Sequence, residues 1–420
     1  MGRVNIRCRS CGAVGLASIL DLGLMPLANA LPTPIDLSSP DPRYPLEVAV
    51  CTACSLVQIT EELPPEALFR EYLYFSSFSD ALVAHAGSLV RRTIAARDLG
   101  PSSLAVEIAS NDGYLLQHYV EAGVPVLGIE PARNVAEVAI AQRGVETISE
   151  FFTNDLAVEL AGEGRQADVL HASNVLAHVP DLNGFVRGIA TILKPEGIAF
   201  IEVPYVKDLL DRCEFDTIYH EHLCYFSLTA LDSLFRRHGL VVQDVERTEI
   251  HGGSLRLHVT HAAYASAGPR VCSLLSEEAG WSVGSMSPYL DFADRVGAMR
   301  DALVHSLARL KSDGCRIAAY GAAAKGAILL NYCGIGPETI DFVADRSTWK
   351  QGRFIPGVRI PIVTPEALLT EQPDYCLLLA WNFADEIIRQ QDDYLRAGGR
   401  FILPAHPTSP VGASHARQAA

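Results

Sequence analysis

Between about residues 80 and 265, short apolar runs alternate with longer stretches whose apolar positions recur every three or four residues. The runs at 104–108, 126–129, 169–172 and 198–202 are rich in Val, Leu, Ile and Ala and predict buried strands. The amphipathic stretches between them predict the crossover helices that a parallel sheet needs. Downstream, residues 288–311 place Phe292, Val296, Met299, Leu303 and Leu307 at spacings of three and four, which predicts one long helix joining two domains. A second alternating unit follows, with strands predicted at 316–320, 340–344 and 375–380. Residues 1 to about 75 differ: Cys and Pro are frequent, turns are short and helical periodicity is weak. From about Thr408 the chain reads as a frayed end. The pattern divides the chain at 1–75, 76–287 and 288–410, with a 411–420 tail and neither repeats nor low-complexity tracts.

A length of 420 residues fits about three domains. The 49 acidic residues outnumber the 34 Lys and Arg, for a net charge of −15. Such a surface repels phosphate backbones, which argues against nucleic acid as a partner but leaves room for one basic pocket for a small anion. No run approaches the ~18 consecutive apolar residues of a membrane span, and the first six residues lack the apolar core of an export signal. The chain is therefore read as cytoplasmic, with no membrane partner; a monomer is compatible with the pattern.

The ten cysteines are unevenly placed. Cys213, Cys224, Cys272, Cys315, Cys333 and Cys376 stand alone and read as buried, reduced thiols. The other four form two CxxC pairs, Cys8 with Cys11 and Cys51 with Cys54, separated by 39 residues. A CxxC turn points two thiolates at one cation, and two such turns complete a tetrahedron without an open position, so the pattern predicts a structural Zn2+. A domain of about 70 residues has a small core, and metal binding offsets the entropy of ordering it. The alternatives are four unligated thiols or a redox pair. A redox CxxC should follow a strand and open a helix, and neither context is evident.

The segment 106–113, Val-Glu-Ile-Ala-Ser-Asn-Asp-Gly, follows an apolar strand and opens a helix, where an open α/β sheet binds nucleoside ligands. It holds one glycine, Gly113, with Ala109 and Asn111 where others would stand. A pyrophosphate needs closer backbone approach than this loop offers, whereas a cofactor without phosphates tolerates the side chains. Glu107, Ser110, Asn111, Asp112 and Gly113 are accordingly candidate cofactor residues. The next strand ends in Glu130-Pro131, and a carboxylate there can accept hydrogen bonds from both ribose hydroxyls. A fourth-strand pattern ends at Asn174, with His178 beyond it, and Leu193-Lys194-Pro195-Glu196-Gly197 turns into a fifth. Together these features resemble the S-adenosylmethionine-dependent methyltransferase fold. A Rossmann-like domain for NAD, or one binding nothing, is the alternative.

The run 215–227 concentrates Tyr219, His220, Glu221, His222 and Tyr225. It is not a metalloprotease helix, because HExxH would need His where Cys224 stands. An imidazole near neutral pKa can remove a proton beside a carbonyl, and a flanking phenol or carboxylate can orient it and manage enolate charge. A surface turn over an aromatic cluster is the competing reading. In His251-Gly252-Gly253-Ser254-Leu255-Arg256 the paired glycines permit close backbone approach to a ligand, or form a plain hairpin turn.

In one order the chain therefore carries CxxC…CxxC, Glu107-x-x-Ser-Asn-Asp-Gly, Tyr219-x-Glu-His, His251-Gly-Gly-Ser-x-Arg and Tyr320-Gly-Ala-x-x-Lys. Over residues 5–405 this resembles the S-adenosylmethionine-dependent sugar C-methyltransferases that act on nucleotide-linked 4-keto deoxysugars, in particular the 3-C-methyl type of antibiotic sugar pathways. The resemblance implies an α/β architecture in three parts. These are a small zinc-binding N-terminal domain, a central Rossmann-like methyltransferase domain (76–287), and a linker helix with a C-terminal Rossmann-like α/β domain (288–410) for the nucleotide sugar. It implies S-adenosylmethionine and structural Zn2+ as cofactors. His222 would be the base, assisted by Glu221 and Tyr219, and the product would be methylated beside the 4-ketone, at C3 or, as in some relatives, C5. Tyr74, Asn174 and His178 would lie at the cofactor. Tyr225, His251, Gly252, Gly253, Arg256, Tyr320, Lys325, Asn331, Asp345 and Lys350 would face the substrate, Lys350 pairing with its diphosphate. Phe75 stands where the family has a polar residue, Tyr72 competes with Tyr74, and His220 stands where the family often has Asp. An NAD-dependent nucleotide-sugar oxidoreductase, with Asp345 holding a ribose, and a non-catalytic zinc-ribbon adaptor are the competing functions.

Overall fold

The structure, a computed structural model, describes residues 3–65, 68, 75–248 and 252–412. Three sheets follow one another along the chain. The first is antiparallel and five-stranded, in the order β1 (Arg3–Arg7), β2 (Val14–Pro26), β3 (Arg43–Val50), β4 (Val57–Ile59) and, out of sequence, β10 (Cys224–Tyr225). Its inner face carries Leu20, Leu46, Val48 and Ile59, all buried.

The second sheet has seven strands. β5 (Ala105–Ile108), β6 (Val126–Ile129), β7 (Thr147–Ile148), β8 (Ala167–Ser173) and β9 (Leu193–Pro204) are parallel; β12 (Ser254–His261) and β11 (Leu240–Thr248) extend it antiparallel. The order β11-β12-β9-β8-β5-β6-β7 reverses direction between β5 and β8. That reversal opens a crevice at the carboxyl ends of those two strands. β5 is buried at every position, as expected of a strand covered by helices on both faces. The helix Asp80–Arg97 covers one side; Ser79 caps it by accepting from Leu82 N, and Asp98 ends it in the left-handed region.

The long helix Ser287–Ser312 matches the spacing of its apolar residues, and Phe292, Val296, Leu303 and Leu307 are buried. It leads into the third sheet, ordered β15 (Ile362–Val363), β14 (Val343–Ala344), β13 (Ile317–Tyr320), β16 (Tyr375–Leu378), β17 (Arg400–Leu403) and β18 (His406–Val411). It is parallel except for β18 and has its own reversal between β13 and β16. The three units share apolar contacts: Ile19 and Val48, Ile218 and Tyr225, and Tyr289 and Phe292 surround one small cavity.

Several expectations need correction. Thr408–Val411 belongs to β18, whose backbone pairs with β17, so the end read as frayed begins too early. The Leu-Lys-Pro-x-Gly segment lies within β9 rather than before it. The strand expected over 340–344 is confined to Val343–Ala344. Each CxxC does follow a strand, β1 or β3, but opens another strand, so a redox helix is absent at both. Cys272 is exposed, unlike a buried thiol. Among the described residues no helix is long and apolar enough to cross a membrane.

Candidate active site

The sulfurs of Cys8, Cys11, Cys51 and Cys54 all lie within 4.8 Å of one another. Cys8 to Cys54 and Cys11 to Cys51 are each 3.5 Å, close to the ~3.8 Å that four thiolates at ~2.3 Å from one zinc ion would show. Each CxxC turn ends in the left-handed region, at Gly12 (φ 74°) and Ser55 (φ 61°). Gly12 N donates to Cys8 O and Ser55 N to Cys51 O. With protons alone the four groups conflict. Donation from the Cys54 thiol holds Cys8 down to about 5, while burial pushes Cys51 up to about 11. A dication removes that conflict, so the donor set fits closed, structural Zn2+.

The cofactor candidates gather at the carboxyl ends of β5, β6 and β8. Ala109 (φ 55°), Asn111 (φ 49°), Gly113 (φ 78°) and Asn174 (φ 56°) are left-handed, three of them without the freedom of glycine. Hydrogen bonds maintain the loop. Asn111 N donates to Glu130 Oε2 at 2.9 Å, and Asn111 Oδ1 accepts from Ser76 N at 2.8 Å. Asp112 accepts from Ser77 Oγ and pairs with Arg143 at 3.3 Å. A Cβ on Gly113 would crowd Val145 and Ala139, so its small size suits packing against the helix Arg133–Arg143 and the residue just past it. Glu130 Oε1 also accepts from Ala132 N, just past half-buried Pro131. Each carboxylate oxygen retains a second acceptor site, so ribose recognition remains open to Glu130. Burial pushes Glu107 well up, with Glu130 and Asp112 adding repulsion. Glu107 Oε2, Ser110 Oγ, Asp112 Oδ1 and Asn174 Oδ1 are buried without a bond partner. Such a concentration of unmatched polar atoms at the strand ends fits a polar, phosphate-free ligand such as S-adenosylmethionine. Tyr74 and Tyr72 lie outside the described residues.

The loop after β8 leads directly to the segment 217–225. His178 Nδ1 donates to Glu221 O at 2.6 Å, and Leu223 N donates to Ala177 O at 2.7 Å. Burial holds His178 down to about 4, so it is neutral at physiological pH. Its ring meets that of His222 edge-on, 4.9 Å between centres. His222 is half-buried, and its two nitrogens are differentiated by their partners. Nδ1 lies 2.9 Å from Thr217 O, and a carbonyl only accepts, so Nδ1 carries the hydrogen. Nε2 then carries the lone pair and accepts from the Tyr219 hydroxyl at 2.9 Å. Tyr225 is buried and donates to the same Thr217 carbonyl at 3.5 Å. Glu221 is buried, and burial raises it to about 7, against the lowering effect of Asn29. His220 points the other way: its Nε2 donates to Pro45 O at 3.1 Å, fastening the segment to β3.

The residues read as substrate contacts separate into two groups. Lys325 opens the helix Ala324–Cys333 and lies 4.3 Å over the Trp381 ring, whose Nε1 donates to Asp216 at 2.7 Å. Its cation also faces the buried acids Asp216 and Glu214 and lowers both against burial, which leaves Glu214 at about 7. The loop after β13 thus abuts the segment 215–227. Asp345 accepts from Ala322 N and Ser347 N, Lys350 donates to Ala322 O, and buried Tyr320 accepts from Gln391, so these three shape that loop. The second group is bound up elsewhere. Asn331 donates to Ala327 O and Pro356 O and accepts from Arg43. Arg256, expected at the substrate, is fully buried and pairs with Glu202 at 2.6 Å and Glu246 at 3.1 Å. Gly252 (φ 88°) and Gly253 (φ 115°) do permit close approach, but to protein: a Cβ would lie 2.7 Å from Glu214 Oε2 and 2.3 Å from Asp208 Oδ2. His251 lies outside the described residues. Asn29, Asp216, Trp381 and the Thr217 carbonyl were not singled out from sequence; each is joined to the site by a contact that local patterning does not encode.

Comparison with known proteins agrees with this geometry. Family models match a zinc binding domain over residues 8–69, a methyltransferase domain over 86–245 and a C-methyltransferase C-terminal domain over 249–405. The C-methyltransferase NovU of Streptomyces niveus is 39% identical over 401 residues, 94% of each chain. A ubiquinone biosynthesis O-methyltransferase of Bartonella bacilliformis is 31% identical over 111 residues, which span 25% of this chain and 45% of that one. Among solved structures, the PH0226 protein of Pyrococcus horikoshii aligns over 47% of this chain and 98% of its own, with 15% identity and a TM-score of 0.37. With a cofactor loop at the sheet's reversal, a four-cysteine zinc site and a C-methyltransferase relative alike over nearly its whole length, the chain belongs to the S-adenosylmethionine-dependent C-methyltransferases.

Proposed function

We propose that the chain methylates carbon 3, beside the 4-ketone of a nucleotide-linked deoxysugar, with His222 as the base. The observation that carries this reading is the fixed tautomer of His222. Thr217 O holds Nδ1–H, so the basic lone pair is on Nε2, at the phenol of Tyr219 and beside the ring of His178. A ketone acidifies the neighbouring C–H enough for a neutral imidazole to remove the proton. The phenolic hydrogen turns from Nε2 toward the ketone oxygen, which frees the lone pair for the substrate proton, and Nε2–H then donates to Tyr219 Oη. Bound S-adenosylmethionine supplies an electrophilic methyl group on a sulfonium. Alignment of the two reactants by the strand-end loop and the 217–225 segment contributes up to ~7–11 kcal/mol. Lys350, held on the loop after β13 at Ala322 O, is the candidate for the nucleotide diphosphate, with Lys325 at the helix N-terminus adding charge. The structural zinc takes no part in the chemistry.

The test is proton exchange. In D2O, with S-adenosylhomocysteine and a panel of 4-keto sugar nucleotides, the protein should exchange the C3 hydrogen of its substrate. His222→Ala should abolish exchange while retaining cofactor binding by calorimetry. Exchange at the wild-type rate in that variant eliminates His222 as base; exchange at C5 instead relocates the methylated carbon. Product mass with S-adenosylmethionine then identifies the sugar and its nucleotide.

A further inference from the structure

We propose that Asn29, in the zinc-binding domain, is a positioning residue of the methyl-transfer site: its amide fixes the carboxyl of Glu221 and leaves Oε2 as the oxygen that carries a proton. The inference rests on the reading of 219–222 as the reaction segment. Asn29 and Glu221 are 192 positions apart, yet Asn29 Nδ2 donates to Glu221 Oε1 at 2.7 Å.

The geometry is held from both sides. Asn29 follows β2 in a tight turn, where Ala30 N donates to Leu27 O and Leu31 N to Asn29 O. Ala28 and Leu31 flank it and are buried, so the turn is anchored in the core. The same turn touches the C-terminal domain, since Phe354 N donates to Pro32 O and Arg353 Nη1 to Leu31 O. On the other partner, His178 pins the Glu221 main chain at its carbonyl. The carboxyl thus has one oxygen facing a donor and the other, Oε2, buried with no bond partner.

An amide N–H donates to a lone pair, so Oε1 serves as acceptor in both protonation states. When the carboxyl is neutral, its hydrogen resides on Oε2. A carboxylic acid kept neutral by burial can donate to a developing oxyanion, which is the task an enolate sets. Burial raises Glu221 to about 7, and the Asn29 bond moderates that rise. Asn29 thereby acts through Glu221 on orientation and on protonation together. The zinc site has a matching purpose, because the turn is supported by the sheet that the metal closes.

The test uses full-length, zinc-loaded protein with Glu labelled with 13C at its carboxyl, and the variants Asn29→Ala and Asn29→Asp. In wild type the carboxyls of Glu221 and Glu214 should both titrate near neutrality, and the signal that vanishes in Glu221→Gln is that of Glu221. Loss of a hydrogen bond to an ionised acceptor should move that titration up by about one pH unit or more in Asn29→Ala, and further in Asn29→Asp. With the accepted sugar nucleotide, kcat should fall about tenfold or more in Asn29→Ala with KM within twofold. The matching limb of the pH–rate profile should move up by the same interval as the titration. Zinc at one per chain and an unchanged melting temperature identify protein that is folded. An unmoved titration in both variants overturns the proposal, as does a moved titration with wild-type kcat and pH profile. If wild type methylates none of the panel, the functional reading fails instead, and the titration alone decides the link between Asn29 and Glu221.

Discussion

Replacing Arg256 by Met separates a structural from a substrate-binding role for this residue. Its guanidinium lies in the middle of β12, sealed from solvent, with Nε on Glu202 of β9 and Nη1 on Glu246 of β11. Burial, the largest influence on Glu202, raises its pKa. His85 and Arg256 together outweigh it and hold the carboxyl at about 2, against an ordinary value of 4.5. That depression corresponds to roughly 3 kcal/mol. Because the folded value is the lower one, this stability is fully present above pH 4.5 and is lost as pH falls toward 2. Without the guanidinium, only His85 is left to oppose burial, and the folded value of Glu202 rises. At pH 7 the variant must then bury a charge with a weakened partner set or take up a proton. Either way the expected loss is about 3–5 kcal/mol. For a domain of this size that is a drop in melting temperature of roughly 6–20 °C. Since the variant binds that proton at a higher pH than wild type, the gap between them should narrow as pH falls toward its new Glu202 value. The double variant Arg256→Met, Glu202→Leu replaces the pair with apolar packing and should recover most of the loss. Differential scanning calorimetry at pH 5, 6 and 7 measures all three proteins. A single variant that melts within 2 °C of wild type, or a gap independent of pH, refutes the argument. A raised KM for the sugar nucleotide at unchanged melting temperature would return Arg256 to the substrate.

Three further outcomes follow from the same structure. Cys51→Ser should lower bound zinc and loosen the sheet that includes β10, so protease resistance and methyl transfer are lost together; active, metal-free protein by atomic absorption would contradict this. Gly253→Ala should cost more than ~2 kcal/mol in thermal melting, because φ is 115° and the new Cβ falls 2.3 Å from Asp208 Oδ2; an unchanged melting temperature would show that the turn can relax. Tyr219→Phe removes the donor to His222 Nε2 and should lower kcat by about 10²–10³ with little change in KM, read from methyl transfer; a loss below threefold excludes the phenol from the chemistry.

What the sequence discloses here depends on the range of the interaction. The strands β5, β6, β8 and β9 are legible because parallel strands buried on both faces become apolar runs. The four cysteines are legible because two-residue spacing is itself the chemistry of a metal turn. β10 is not: two residues have no periodicity, and its partner β4 lies more than 160 positions upstream. Arg256 and the Gly252-Gly253 pair are ambiguous in the sequence for another reason. A buried arginine facing two carboxylates and glycines facing two carboxylates use the same residue types that phosphate or sugar sites use. Only position distinguishes them. Asn29 carried no local signal at all; an asparagine after a strand reads as a turn, which it also is.

The segment 215–227 explains why one reaction would need three domains. From the zinc-binding domain it receives a strand partner for Cys224 and Tyr225, the Pro45 carbonyl for His220 and the amide of Asn29 for Glu221. From the central sheet it receives His178 and the Ala177 carbonyl, which continue directly from the strand end where the cofactor loop lies. From the C-terminal domain it receives Trp381 at Asp216, with Lys325 close by. Within the segment itself, only local contacts such as those of His222 with Thr217 O and Tyr219 are self-supplied. Such short polar loops rarely hold one geometry alone, since each ordered residue costs about 1–2 kcal/mol of backbone entropy. Bonds from three rigid elements offset that cost and set the imidazole, the carboxyl and the phenol in one arrangement. On this account the zinc ion, although it takes no part in the chemistry, acts on rate through the order of the segment, and the domains work as one unit because the same thirteen residues complete all three.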